Sequence, residues 1–464
     1  MQGAPSSQKK QPSLTDNMTN ATVPEAADIA APQSVKERTI RGTLWTVANH
    51  GAGQVLRFGS NVVLTHLLIP EAFGLMSLVW VFITGLEMLS DVGVGPAIIR
   101  SERGEDPALL DTAWTVQIIR GLALFALSVL VAWPAARFYG QPQLLSLIAV
   151  AGLGIAIRGF TPTRVHSLNR KVVLGRLTLM ELTCQVTTIA TMIVGAWLFH
   201  SVWALLVGTL AGDVVHVALS YLILPGQRHR LRLDRQCLGE IVHVGRWIVV
   251  STALTFAVGY LDRMVIGRLL PLRELGIYSI AFQIVFAVLG VGKSVSGRVF
   301  FPVLSETIRE SPELFYKRLR RARLLWIVPT VFGLLLLCLT GERLIHLIYK
   351  PAYYDAGWML RILAAGSVVA VLNHAGGVIW LALGEFKTNV VIMLVQILLS
   401  LAAMFTGYAL GGTVGFVVGV AAVELLVYPV QSVLIARRKL WQPEVDLPVL
   451  AGAGVVLALG LFLR

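Results

Sequence analysis

Apolar residues along this chain come in long unbroken runs, not in strand-like alternation. Runs of roughly 20 or more residues lie near 42–68, 73–99, 109–133, 143–163, 174–198, 201–224, 245–267, 275–302, 323–341, 356–383, 388–410 and 413–436. A helix needs about 20 mostly apolar residues to cross about 30 Å of hydrocarbon. Backbone amides in lipid must be satisfied internally, which leaves helices or closed barrels. Alternating strands of about ten residues, the barrel signature, are absent. The pattern therefore predicts an all-α polytopic membrane protein with 12 helical spans. A thirteenth run, Leu447 to Leu463, is shorter and ends in Arg464. Its length fits a final span, a re-entrant piece or a surface helix alike. The first 38 residues are rich in Ser, Thr, Asn, Gln, Ala and Pro without a secretory apolar core, and read as a disordered tail.

Composition sharpens this picture. Of 464 residues, 56% are hydrophobic and 14% charged, against about a quarter charged in soluble domains. That shortage excludes an ordinary soluble enzyme, a disordered chain and a nucleic-acid binder. The net charge of +13 follows topology instead. Lys and Arg gather in every second loop, as at Arg100 and Arg103, at Arg164, Arg170 and Lys171, at Arg228, Arg230 and Arg232, at Lys317, Arg318, Arg320 and Arg321, and at Arg437, Arg438 and Lys439. The intervening loops hold only Arg137, Arg273, Arg343 and Lys350. Positive-inside bias makes the first set, and the N-terminus, cytoplasmic. The three cysteines, Cys184, Cys237 and Cys338, have neither disulfide-framework nor zinc-site spacing.

The chain also repeats itself. Leu67–Ser77, LLIPEAFGLMS, follows span 1, and Leu269–Ser279, LLPLRELGIYS, follows span 7, with Gly74 and Gly276 202 positions apart. An even number of spans separates them, so the two halves are parallel repeats about an axis along the membrane normal. The expected organisation is a cytoplasmic tail (1–38), a six-helix bundle (39–224), a cytoplasmic linker (225–243), a second six-helix bundle (244–440) and a C-terminal tail with the short apolar run (441–464).

Ionisable residues at membrane depth are costly and usually face a cavity or another polar group. Arg57, Arg120, Arg158, Arg263 and Lys293 fall inside five different spans, and Arg298 lies near a span end, where snorkelling to the interface serves equally well. So many cations predict a shared aqueous cavity for an anion, and guanidinium suits phosphate. Glu87 and Asp91, spaced i, i+4, together with Glu181, Asp213 and Asp262, are candidates for proton or sodium coupling or for structural pairing with a neighbouring arginine. Asp262 and Arg263 are adjacent, so they diverge from their helix and pair only through long reach. No HExxH, nucleophile elbow or P-loop is present, so no cofactor and no direct ATP drive is expected.

Leu89-Ser90-Asp91-Val92-Gly93 through Ala97-Ile98-Ile99-Arg100 resembles the second-span ending of bacterial polysaccharide flippases, and Val202-Trp203-Ala204-Leu205-Leu206-Val207-Gly208 their sixth-span opening. Glu181 matches a lone span-5 glutamate. Asp262-Arg263-Met264-Val265-Ile266-Gly267-Arg268, Leu275-Gly276-Ile277-Tyr278-Ser279 and Phe301-Pro302-Val303-Leu304-Ser305 resemble further motifs in order. Ala382-Leu383-Gly384-Glu385-Phe386-Lys387 is similar to a turn that usually carries Arg where Glu385 stands. The resemblance covers roughly residues 39–440. It is to the Wzx-like oligosaccharide flippase branch of the multidrug/oligosaccharidyl-lipid/polysaccharide (MOP) exporter superfamily. It implies two six-helix bundles around a cleft, alternating access, and a polyprenyl-diphosphate-linked oligosaccharide as cargo in the bacterial inner membrane. A polysaccharide polymerase and a chain-length regulator are the implied partners. A lipid II flippase, a drug/cation antiporter of the same superfamily and a membrane enzyme of polysaccharide assembly are the alternatives.

Overall fold

The computed structural model describes residues 51, 53–91, 93–95, 98, 106–165, 174–223, 229–297, 304 and 312–462. The tail 1–38, Arg100, Arg103 and Arg298 lie outside them. Helix follows helix with no strand among the described residues. In chain order they are α1 (53–67), α2 (Pro70–Leu89), α3 (Pro107–Tyr139), α4 (Gln143–Gly159), α5 (Leu174–Phe199), α6 (Trp203–Ile223), α7 (Arg235–Leu269), α8 (Leu272–Val295), α9 (Pro312–Ile348) and α10 (Ala356–Ala382). The helical stretch Phe386–Arg437 bends at Gly411 and Gly412 into two arms, α11 and α12, and Pro443–Phe462 is α13. Nine of the described helices are long and apolar enough to cross a membrane, the bent α11–α12 stretch counting once, and Gln143–Gly159 is a shorter apolar helix. The chain is a multi-pass membrane protein. Leu130, Trp197, Phe199, Leu222, Leu347 and Leu410 are all more than half exposed, a surface that water would not tolerate and lipid requires.

Local chemistry sets the ends of these helices. Asp106 accepts from the Ala108 N–H (2.9 Å) and caps α3 ahead of Pro107. Asp234 accepts from Gln236 (3.0 Å) and Cys237 (3.2 Å) N–H groups and starts α7 about ten residues before the apolar run. Those two donors hold its carboxyl below the usual carboxylate range. Gly412, at φ 56° and ψ −133°, takes a conformation that only glycine adopts readily. Beyond it the arms pack backbone to backbone, because Gly407, Gly415 and Gly419 carry no side chain between them. The apolar run 73–99 overstates α2, which stops at Leu89. Asp91 Oδ1 instead accepts from the Gly93 N–H (2.9 Å) and Gly93 sits at φ 66°, a local turn that competes with the helix.

Consecutive helices pack as antiparallel neighbours, α3 with α4, α5 with α6, and α9 with α10, while α10 lies against α8, α9, the α11–α12 arms and α13. The loops therefore fall at two ends, a short-loop end after odd-numbered helices and a basic end after even-numbered ones. At the short-loop end α2 crosses α8 at the two repeated glycines. A Cβ on Gly74 would strike the Leu272 carbonyl, and one on Gly276 would strike the Pro70 carbonyl. Pro70 and Leu272 are separated by the same 202 positions as the glycines, so the contact is reciprocal under the repeat. Side chains then seal this end. Tyr353 donates to Leu68 O (2.9 Å), Lys350 Nζ to His66 O, Tyr139 to Met264 O (3.3 Å) and Tyr408 to Leu269 O (3.4 Å).

The thirteenth helix is anchored rather than loose. Arg323 on α9 donates to Asp446 Oδ1 at 2.6 Å, with both side chains 4% exposed, and to Gln442 Oε1 at 3.4 Å. Tyr428 on α12 takes Asp446's second oxygen (3.0 Å), and Trp441 donates to the Tyr428 hydroxyl (3.3 Å).

Candidate functional site

Two polar clusters interrupt the apolar interior toward the basic end. The first is built on α2, α3, α4 and α6. Arg158, near the end of α4, is shared by two carboxylates, Glu87 Oε1 at 2.6 Å and Asp213 Oδ1 at 3.3 Å. Gly154, one turn before Arg158, leaves the space that Asp213 occupies, since a Cβ there would lie 2.7 Å from Asp213 Oδ2. Arg120 on α3 spends its guanidinium on the uncapped end of α2, donating to Ser90 O (2.9 Å), Ser90 Oγ (3.1 Å) and Glu87 O (2.6 Å). It satisfies carbonyls that the short α2 leaves without partners.

Arg57 stands differently. It is exposed on α1, and no ion pair engages it among the described residues. One turn away, Gly53 O accepts from Gln185 Nε2 of α5 (2.7 Å), which fixes α1 against α5. Glu181 lies exposed one turn before Gln185. Arg263 belongs elsewhere. Its guanidinium lies 4.1 Å over the Phe282 ring and 5.3 Å from the Tyr260 ring, donates to Gly259 O (3.0 Å) and reaches Asp262 Oδ1 only at 3.8 Å. Asp262 in turn accepts from the buried Tyr278 hydroxyl. The structure thus brings Glu87, Arg120, Arg158 and Asp213 together, places Asp91 in the turn beside them, and sets the Asp262–Arg263 pair apart.

The second cluster lines a partly open cavity of about 300 Å³ among α7, α8, α9, α10, α11 and α12. Lys293 lines it from α8, with its ammonium 5.7 Å from the Phe286 ring. Glu424 on α12 accepts from Asn373 Nδ2 (2.7 Å) and Gln396 Nε2 (3.1 Å). Gln431 donates to Asn373 O (2.7 Å) and lies against Gly376. His374 meets the Trp326 ring edge-on at 5.6 Å. Of this group the sequence reading placed Lys293 alone among the binding residues. The available signal was polar text inside apolar runs, Asn373-His374 in span 10, Asn389 and Gln396 in span 11, and Glu424 and Gln431 in span 12.

A set of half-buried ion pairs and amides inside a multi-pass helical bundle belongs to a transporter interior more readily than to a soluble active site. The family model described as polysaccharide biosynthesis protein matches residues 63–358, more than half of the chain. The chain belongs to this family. Among curated relatives of this polysaccharide biosynthesis protein, the lipopolysaccharide biosynthesis protein WzxC of Escherichia coli is 20% identical, over 85% of this chain and 80% of its own length. The teichuronic acid biosynthesis protein TuaB of Bacillus subtilis is 22% identical, over 72% and 71%. Among solved structures, the lipid II flippase MurJ in an inward closed conformation superposes with a TM-score of 0.68 at 12% identity, over 91% of this chain and 93% of that one. An inward-facing MATE-family multidrug transporter of the MOP superfamily gives 0.64 at 17%, over 83% and 94%. The fold is that of the MOP exporters, as the sequence motifs implied.

Proposed function

We propose that this polysaccharide biosynthesis protein is a flippase for polyprenyl-diphosphate-linked oligosaccharides, working by alternating access in the bacterial inner membrane and performing no covalent chemistry. The observation that carries the proposal is that a chain of the polysaccharide biosynthesis family has the MOP transporter fold. Residues 39–224 and 244–440 act as the two rocking halves, joined by 225–243, with the basic end cytoplasmic and the short-loop end outside.

The diphosphate binds first at Arg57, the exposed guanidinium, and then competes with Glu87 and Asp213 for Arg158. Guanidinium binds phosphate and carboxylate in the same bidentate way, so exchange between them costs little geometry. A carboxylate released from Arg158 needs another cation, and a proton or Na+ meets that need. This couples cargo to an ion through Glu87 and Asp213, with Asp91 and Glu181 at the rim. Lys293 acts in the second cluster. The isoprenoid tail remains in lipid. The product feeds a polymerase and a chain-length regulator outside.

The test is a chromosomal deletion scored by the lipid-linked oligosaccharide pool. Deletion traps the pool on the cytoplasmic leaflet and the wild-type chain clears it. Arg57→Ala, which breaks no ion pair among the described residues, leaves the protein folded in the membrane but traps the pool. Clearance by Arg57→Ala at the wild-type rate removes Arg57 from the site. A deletion strain that traps no lipid-linked sugar overturns the flippase assignment.

A further inference from the structure

The second cavity differs in chemistry from the Arg158 cluster. It carries one cation and one carboxylate, Lys293 and Glu424, and is otherwise lined by amides, His374 and apolar side chains. A diphosphate would need a net positive wall and a cationic drug a net negative one. Neither finds it here. Both Glu424 oxygens already accept from amides. Apart from the Lys293 ammonium, the polar capacity left open is neutral. Gln396 gives its amide nitrogen to Glu424 and keeps Oε1 open, and Asn389 uses its Nδ2 only against Met393 Sδ, at 3.8 Å, among the described residues. The volume of about 300 Å³ far exceeds the room an ion needs and meets the lower end of small-molecule pockets, about 300–1,000 Å³. Of two consecutive glycines on α10, Gly376 makes room for the Gln431 side chain, and a Cβ on Gly377 would lie 3.7 Å from Asn389 Oδ1, so a larger side chain there enters the cavity.

We infer that this cavity is a sugar subsite, in which one uncharged monosaccharide of the cargo's glycan sits with its hydroxyls on Asn389, Gln396 and Lys293 and its C–H face on His374. A sugar offers donors and acceptors on every edge, which suits open amides of both kinds. The inference rests on the flippase reading above. It adds that cargo is held at two points, diphosphate in the first half and glycan in the second, so that neither half moves alone.

The test uses the purified full-length protein in nanodiscs and three probes. These are the glycan freed by mild acid from the lipid-linked pool of the deletion strain, inorganic diphosphate, and Na+ at several pH values. Calorimetric titration is expected to show glycan binding that weakens at least about tenfold in Asn389→Ala/Gln396→Ala and in Gly377→Leu, which fills the cavity, with diphosphate binding unchanged. Thermal unfolding of each variant confirms that it is folded. Should Asn389→Ala/Gln396→Ala prove unfolded, Gly377→Leu alone decides. Unaltered glycan binding in the folded variants overturns the subsite while leaving the flippase intact. Variants that change only the Na+ or pH response overturn it in favour of an ion site. A deletion strain with no accumulated pool overturns the flippase reading, and the subsite falls with it.

Discussion

The reciprocal glycine contact at the short-loop end makes a quantitative prediction. In Gly276→Ala the new methyl lies 2.7 Å from the Pro70 carbonyl carbon and 3.1 Å from the Gly74 nitrogen. Ordinary carbon contacts are about 3.5–4.0 Å, and the Pro70 carbonyl oxygen is nearer still, so α2 and α8 must separate by more than about 1 Å. Both neighbours are backbone and cannot rotate away. Overpacking of this kind costs about 1–3 kcal/mol. The helix-propensity gain of alanine over glycine applies in every conformation and cancels. Under the proposed alternating access, the cost falls only on states in which this end is closed, so the ratio of open to closed rises about 5- to 150-fold. The assay is labelling of an Asn389→Cys reporter in intact cells by a membrane-impermeant maleimide. The native Cys184, Cys237 and Cys338 are buried and give little background. Gly276→Ala and its repeat partner Gly74→Ala should each raise labelling, and the double variant should add little, because both act on one contact. Gly259→Ala on α7, where a Cβ meets nothing within 4 Å, is the control and should leave labelling alone. Unchanged labelling in both Gly74→Ala and Gly276→Ala, with the protein folded, would refute a gate at this crossing.

Three further outcomes are expected. Asp446→Ala strands the buried Arg323 and should destabilise the purified protein by about 3–5 kcal/mol, read as a lowered Tm, whereas Arg323→Met/Asp446→Leu should recover much of the loss. Arg158→Ala leaves Glu87 and Asp213 without their shared cation and should lower both Tm and export, in contrast to Arg57→Ala, which lowers export alone. His229, in the linker, hydrogen-bonds Asp111 (3.2 Å) and stacks on Trp114, and burial pushes its pKa below the usual histidine value. A lowered folded pKa means the unfolded segment binds the proton more readily, so this packing is complete above about pH 6.5 and weakens as pH falls below it. Protease cleavage near residue 229 should rise between pH 7.5 and 5, and His229→Gln should flatten that dependence.

Fold class was legible in the sequence because the bilayer imposes it. A run of apolar residues long enough to span hydrocarbon has only one common solution, and the helices α4 to α6 and α10 to α12 start and stop within a few residues of their runs. Helix ends were legible only where apolarity set them. α2 is shorter than its run because Asp91 and Gly93 make a turn, and α9 is longer because Tyr316 to Arg321 extend it as a polar helix beyond the apolar run. The repeated glycines were visible as text, while their mutual contact was not.

Hydropathy located the deep charges but could not assign them partners, because pairing depends on which helices become neighbours. The sequence alone determined that Arg57, Arg120, Arg158, Arg263 and Lys293 stand in apolar runs. Tertiary structure decided that Arg120 satisfies the end of α2, that Arg158 is divided between two carboxylates, that Arg263 rests on aromatic rings, and that Arg57 stays exposed without an ion pair among the described residues. It also gathered Asn373, Asn389, Gln396 and Glu424 from three helices around one cavity. The bilayer acts on each segment separately and so is written locally along the chain. An ion pair or a cavity requires groups from several helices within a few ångströms, and only the packed bundle supplies that proximity.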